Sequence, residues 1–238
     1  MEAKHIPLPD AEKITRDFKE FTYIVSHDLS APIRGIIGLS TLLQEEHSDK
    51  LDDEAKLYIS LIHDGGEKLQ NMVNGLLEYS HLSTIIKPHA EIDCNIIAEQ
   101  SVNKMKDAIE ARKGQVEIGS LPVIFANYEQ CIRVFDILLD NALKFCAADT
   151  IPHIKISAEK QQDFWLFSVD DNGIGVENEF CEKIFLPFKR LHNDHEYSGI
   201  GMGLPIAKKI LEIHGGNIWA DSMYGKGSSF KFTMPCKD

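Results

Sequence analysis

A histidine beside an aspartate, two glycine-bearing turns and an asparagine with a lysine at helical spacing carry the chemistry of this chain. In Ser26-His27-Asp28-Leu29-Ser30-Ala31-Pro32 the imidazole of His27 can act as a nucleophile once a neighbouring carboxylate takes up its ring proton, and Asp28 is the nearest candidate. Pro32 lacks an N–H and its ring crowds the Asp28 carbonyl, so a kink is expected one turn after the histidine.

Val169-Asp170-Asp171-Asn172-Gly173-Ile174-Gly175 reads as a strand end entering an acidic turn, where a carboxylate can accept a hydrogen bond from an exocyclic amine and glycines admit close ligand approach. Gly199-Ile200-Gly201-Met202-Gly203-Leu204-Pro205 leads into an apolar helix, and glycines before a helix N-terminus expose backbone N–H groups to phosphate. The spacing is not the dinucleotide Gly-x-Gly-x-x-Gly, and Gly225-Lys226 is followed by Gly227 rather than Ser or Thr, so Rossmann and P-loop readings fail. Asn141 offers a hard oxygen ligand for Mg²⁺, and Lys144, three residues on, shares its helix face and can reach phosphate oxygens. Between the glycine segments, Ile184 to Arg190 and the polar run Leu191 to Ser198 read as a mobile lid carrying cations. His192, Asp194 and His195 in that run read as solvated loop residues rather than a zinc site.

The elements that must position these groups follow from periodicity. Ile14, Phe18, Phe21, Val25, Asp28, Pro32, Ile36, Leu39 and Leu43 keep a mostly 4-3 spacing, which predicts a long helix over about 11–47 with His27 beside the seam and pointing to solvent. Tyr58, Ile62, Gly65, Leu69, Met72, Leu76 and Tyr79 predict a second helix of about 30 residues. The loop from Ser48 to Asp53 makes them an antiparallel hairpin, and two such hairpins in a dimeric four-helix bundle would bury both seams. After a break near Ser83 to Pro88, helical patterns at about 94–113, 128–146 and 204–214 mix with strand patterns at 116–118, 123–126, 153–159, 164–170, 217–221 and 228–234. Without regular β-α-β alternation these predict a two-layer α+β sandwich, so the chain divides into a tail (1–10), a helical hairpin (11–84) and a second domain (85–238).

Composition narrows the classes further. A 238-residue chain with 43% hydrophobic and 26% charged residues folds without needing a fibrous or disordered class. A formal charge of −12 opposes docking on nucleic acid or anionic lipid, and no apolar run approaches a membrane span. Cys94, Cys131, Cys146, Cys181 and Cys236 are odd in number and lack a Cys-x-x-Cys pair, which reads as reduced packing residues in a cytoplasmic protein.

Taken in order, these segments resemble sensor histidine kinases of two-component systems. His27-Asp28-Leu29 with Pro32 is similar to the H-box, Asp140-Asn141-Ala142-Leu143-Lys144-Phe145 to the N-box, and Asp171-Asn172-Gly173-Ile174-Gly175 to the G1 box. Ile184-Phe185-Leu186-Pro187-Phe188 is similar to the F-box, Gly199-Ile200-Gly201-Met202-Gly203-Leu204 to the G2 box. Glu212 to Trp219 and Gly225 to Phe230 are similar to the family's closing strands, and Phe21 to Leu82 is nearest the phytochrome-like group.

The resemblance implies a dimerisation and phosphotransfer hairpin followed by a Bergerat-type ATP-binding domain. It implies a homodimer that uses ATP and Mg²⁺, phosphorylates His27 with Asp28 as base, and passes the phosphoryl group to an aspartate of a response regulator. It further implies that Asp171 accepts the adenine amine, Phe145 packs on the base, Asn141 holds Mg²⁺, Lys144 and Arg190 contact phosphates, and Gly173, Gly175, Gly199, Gly201 and Gly203 shape the pocket and lid. Two positions depart from the family pattern: Ile137 stands where a second asparagine is usual, and Ala31 stands where Thr or Asn orients water for dephosphorylating the partner. A degenerate scaffold that docks a regulator without efficient ATP turnover and an ATP-driven conformational machine of the wider superfamily are the rival readings. The chain leaves no room for a sensor or receiver domain, so a stand-alone kinase core and an excised one are both open.

Overall fold

The computed structural model describes residues 11–82, 88–191, 197 and 199–236, and the chain divides into two compact units, one up to Thr84 and one from Ile85 on. The first is an antiparallel hairpin of α1 (Ala11–Glu46) and α2 (Asp53–His81). Asp52 caps α2 by accepting the Ala55 N–H at 2.8 Å, with Asp53 and Glu54 in the first turn favouring the positive helix end. Helix α1 runs unbroken through Pro32, so the proline does not end it. The Ser30 hydroxyl donates to the Ser26 carbonyl at 2.7 Å in the turn above.

Much of the apolar repeat lies outside the contact between the two helices, although Val25, Met72, Leu76 and Tyr79 are half-buried. Asp28, Pro32, Ile36, Leu39 and Leu43 on α1 are exposed, as are Tyr58, Ile62, Gly65 and Leu69 on α2. The stripe one residue later is buried instead: Thr22, Ser26, Ile33 and Ser40 on α1, at seven-residue spacing from Ser26 on, and Ile59, Gly66, Val73 and Ser80 on α2, at seven-residue spacing throughout. Small side chains let the helices approach, and a Cβ on Gly66 would lie only 2.8 Å from Ile37 Cγ1. A polar contact, Ser40 Oγ to His63 Nδ1 at 3.2 Å, sits in the same seam. The side chains of Ile14, Phe18 and Phe21, also assigned to the seam, lie outside the described residues, as does the tail 1–10.

The second unit is the α+β sandwich. A two-stranded sheet pairs β1 (Ala90–Asp93) with β3 (Val123–Ala126). A five-stranded sheet has the order β2 (Gln115–Ile118), β4 (His153–Lys160), β5 (Phe164–Asp171), β7 (Gly227–Pro235), β6 (Ile218–Met223). Only the β2 to β4 pairing is parallel, and the other three are antiparallel. The helices are α3 (Cys94–Lys104), α4 (Lys106–Ala111), α5 (Tyr128–Lys144) and α6 (Gly203–Ile213). Strand β1 carried no periodic signal, and the predicted helix 94–113 is interrupted at Met105, whose backbone leaves the helical region.

Alternation fixes the core. Ile154 and Ile156 of β4, Phe167 and Val169 of β5, and Phe230 and Phe232 of β7 are buried while their neighbours in sequence face outward. Phe167 and Phe232 stack at 4.7 Å, and Phe135 of α5 meets both edge-on.

Two polar anchors hold α5 in place. At its start Asn127 caps the helix through the Gln130 N–H, donates its amide to the Pro88 carbonyl at 3.1 Å, and gives its backbone N–H to His214 Nε2 at 3.1 Å. The other ring nitrogen of His214 donates to the Ile210 carbonyl at 2.8 Å, and burial pushes its pKa below the ordinary value. At the far end the Arg112 guanidinium gathers the carbonyls of Leu143, Cys146, Ala147 and Thr150, closing groups that a helix C-terminus leaves open. Among the described residues no helix is long and apolar enough to cross a membrane.

Candidate nucleotide-binding and phosphoacceptor sites

Helix α5, the end of β5, the N-terminus of α6 and the segment 184–191 surround a cavity of about 480 Å³. Nine of the residues named from sequence line it: Asn141, Lys144, Phe145, Asp171, Gly175, Arg190, Gly199, Gly201 and Gly203. Gly173 stands just behind the wall, buried against the Phe145 carbonyl, where a Cβ would come within 2.6 Å of the oxygen.

The floor at the end of β5 is a knot of backbone contacts. Asp171 Oδ1 accepts the N–H groups of Gly173 at 2.8 Å and Ser228 at 3.3 Å, and Ile174 donates to the Phe145 carbonyl at 2.8 Å. Gly175 and Gly227, at φ of 69° and 93°, pass so close to neighbouring strands that a Cβ would fall on the carbonyl oxygens of Met223 and Asp171. Both protein bonds to Asp171 use one oxygen, which leaves Oδ2 for a ligand. Burial pushes this carboxyl up to about 6 against the lowering effect of the two N–H donors.

Beside it, Phe145 sits at 5.1 Å from the Tyr197 ring with the Lys144 ammonium 4.7 Å from its own centroid. Burial draws the Lys144 pKa down, with Asp140 opposing and Arg190 reinforcing. A side chain at Gly199 would collide with Lys144 Nζ, and one at Gly201 would meet the Lys189 carbonyl at 2.7 Å. Phe188, at φ of 59°, gives its N–H to the Gly201 carbonyl at 3.0 Å, which ties the base of the lid to the glycine segment. Arg190 donates to the Tyr197 carbonyl at 2.6 Å. The run 192–196 and Ser198, with His192, Asp194 and His195, lies outside the described residues.

Asn141 is half-buried, and its Nδ2 has no hydrogen-bond partner among the described residues. Since amide O and N are assigned rather than distinguished, one buried polar atom of this cavity-lining side chain is left unmatched. That fits a ligand for a hard cation. Ile137, one turn earlier, packs its methyl against Gly203 and contributes no polar atom.

In the hairpin His27 and Asp28 are exposed, at 76% and 73%, with Nδ1 3.2 Å from Asp28 Oδ1. That contact engages Nδ1. Ala31 stands exposed one turn on. Residues that sequence reading missed come from distant segments: the Ser228 N–H, Tyr197, Arg133, and Lys104 with Asp136 in the cavity wall. Tyr197 and Ser228 lie in segments the sequence singles out, without a signal for the residue itself, and Arg133, Lys104 and Asp136 lie in no such segment.

A hairpin presenting an exposed histidine and aspartate, followed by an α/β sandwich with a glycine-rimmed cavity, defines the class of phosphoacceptor plus ATPase-type modules. Comparison with known proteins makes this specific. Residues 19–84 match the His Kinase A (phospho-acceptor) domain and residues 126–238 match the Histidine kinase-, DNA gyrase B-, and HSP90-like ATPase family. The chain is 39% identical over 224 residues to the phytochrome-like protein Cph1 of Synechocystis, covering 94% of this chain and 30% of that protein. It is 29% identical to the sensor protein kinase WalK of Staphylococcus aureus, covering 96% of this chain and 56% of the relative. Full-length ShkA, solved in complex with AMPPNP, superposes with a TM-score of 0.69 at 25% identity over 91% of this chain and 46% of that one. The chain belongs to the sensor histidine kinases and spans about 30% of the length of the phytochrome relatives it matches.

A raised carboxyl pKa means that the folded protein holds the Asp171 proton more tightly than the unfolded chain. Stability is therefore lost as pH rises from the ordinary value of 3.8 through about 6, and the cost is complete above that. Asp171→Asn keeps the Oδ1 acceptor and removes the ionisation, so it should be more stable than the parent at pH 7.5, by roughly 1–3 kcal/mol. The gain should vanish near pH 4 in thermal melts. The same variant presents an NH₂ where Oδ2 stood and should bind ATP at least about tenfold more weakly while discriminating less against inosine triphosphate.

Proposed function

We propose that this chain is the kinase core of a two-component system: it binds Mg²⁺-ATP, phosphorylates His27, and passes the phosphoryl group to an aspartate of a response regulator. The orientation of the His27 ring carries the reading. With Nδ1–H directed at Asp28, the Nε2 lone pair attacks the γ-phosphorus while the bond to the β-phosphate oxygen breaks and ADP leaves. Asp28 stabilises the positive charge that grows on the ring and takes the Nδ1 proton. The receiver carboxylate then attacks the phosphorus, the N–P bond breaks, and Asp28 returns the Nδ1 proton so that the imidazole leaves neutral.

In the cavity, Asp171 Oδ2 accepts the adenine amine and Phe145 packs on the base. Lys144 and Arg190 contact the phosphates, the N–H groups at the start of α6 face them, and Gly199, Gly201 and Gly203 keep that approach open. Asn141 would hold magnesium, which when bound neutralises phosphate charge and supports departure of ADP. The AMPPNP complex of ShkA supports nucleotide binding by this fold. The buried free cysteines fit a reducing, cytoplasmic setting. Ala31 has no group to position water, so the chain acts as a phosphoryl donor rather than a phosphatase toward its regulator.

Two copies complete the hairpin. Much of the 4-3 repeat stands outside the contact between α1 and α2, with Leu39 at 65% and Ile62 at 52% exposure, and a second hairpin would cover it as a four-helix bundle. The degenerate-scaffold reading draws on Ile137 alone and is separated from the kinase reading by ATP turnover.

With γ-labelled ATP the parent should acquire acid-labile phosphate, whereas His27→Gln should acquire none and bind nucleotide within about threefold of the parent. Equal loss of binding and labelling would contradict the assignment. Leu39→Glu should convert a sedimenting dimer into a folded monomer at micromolar concentration, because the changed side chain lies outside the fold of one hairpin. A parent that sediments as a monomer rejects the bundle.

A further inference from the structure

We infer that Lys104, held in place by Asp136, is a further binding residue of the cavity and takes the terminal phosphate of the nucleoside triphosphate. Lys104 closes α3 and Asp136 lies on α5, and both line the cavity that holds Asp171 and Asn141. The Asp136 side chain is only 8% exposed, and its Oδ2 accepts from Lys104 Nζ at 2.6 Å while the lysine remains 64% exposed. An ammonium has three protons; one is fixed on the carboxylate, and the others are free to meet phosphate oxygens. Asp136 Oδ1 is buried with no hydrogen-bond partner among the described residues, so this wall, like Asn141, holds a polar atom that the protein leaves unmatched.

Position along α5 identifies which phosphate. Phe145 and Asp171 mark the base end. Asn141 is four residues back from Phe145 and Asp136 nine, or about 6 and 13 Å at the rise of an α-helix. The wall thus presents an aromatic for the base, an amide for a cation at the middle of the phosphate chain, and an anchored ammonium at its far end. Asp136 alone would repel a phosphate. Paired with Lys104 it becomes a neutral unit whose donors face the ligand, and it holds the lysine where an exposed ammonium would otherwise sample many rotamers.

The assignment rests on the nucleotide reading above, and the test separates the two. Affinities of a non-hydrolysable ATP analogue and of ADP are measured with Mg²⁺ by calorimetry on the intact chain. Lys104→Met should weaken the ATP analogue by about tenfold, the loss of one charge-assisted hydrogen bond, and leave ADP within about threefold. Lys104→Arg should stay within about threefold of the parent for both ligands. Asp136→Asn should weaken the ATP analogue in the parent background and add nothing once Lys104→Met is present, since the carboxylate acts through the lysine. An unchanged ATP-analogue affinity in Lys104→Met overturns the proposal. So does an equal loss for ATP analogue and ADP, which would place the lysine away from the terminal phosphate. If Lys104→Met does not fold, Lys104→Gln is read in the same way. A parent that binds neither nucleotide overturns the nucleotide reading itself, and this assignment with it.

Discussion

Asp171 accepts two backbone N–H groups with one oxygen and leaves the other for the proposed ligand, in surroundings whose burial pushes its carboxyl up to about 6. Those bonds tie the end of β5 to the turn at Gly173 and to Ser228 on β7. Around them no side chain fits at Gly175 or Gly227, and the Phe145 carbonyl is held by Ile174. The β5 turn, the start of β7 and the end of α5 thus share one junction. Solvating the carboxylate would relieve its cost but would also open that junction, so stability is traded for a preorganised acceptor.

Helix α5 is the second organising element. Its start is held by Asn127 and through it by His214, its end by Arg112, and along one side it carries Asp136, Asn141, Lys144 and Phe145. On the proposed reading, a helix fixed at both ends works as a ruler for the bound nucleotide. The hairpin follows a different logic: its internal contact mixes Ile33, Ile59 and Val73 with small and polar residues, while Leu39, Leu43, Tyr58, Ile62 and Leu69 face outward. One stripe sets the distance between α1 and α2, and the other is free to receive a second chain.

Much of this was legible in the sequence because the chemistry lies in local patterns. The glycines, Asp171, Asn141 and Lys144 stand at spacings that a single turn or helix enforces, and strands β4, β5 and β7 alternate around Ile154 and Ile156, Phe167 and Val169, and Phe230 and Phe232 because one face is buried. The illegible parts are long-range. Periodicity revealed that α1 and α2 have apolar stripes but not which neighbour covers them, and the packed stripe proved to be the adjacent one. Strand β1, Ala90-Glu91-Ile92-Asp93, has one large apolar residue and so no alternation to register, and its identity comes from pairing with β3. Arg112 and Lys104 act on partners more than thirty residues away, which no motif records.

The carboxyl of Asp171 is therefore the atom group to observe. A ¹³C NMR titration of the labelled side chain should show a midpoint near 6 in nucleotide-free protein. The midpoint should move downward when ATP is bound, because an amine donating to Oδ2 favours the charged form. A midpoint at the ordinary aspartate value of 3.8 without nucleotide, unmoved by ATP, would contradict the account.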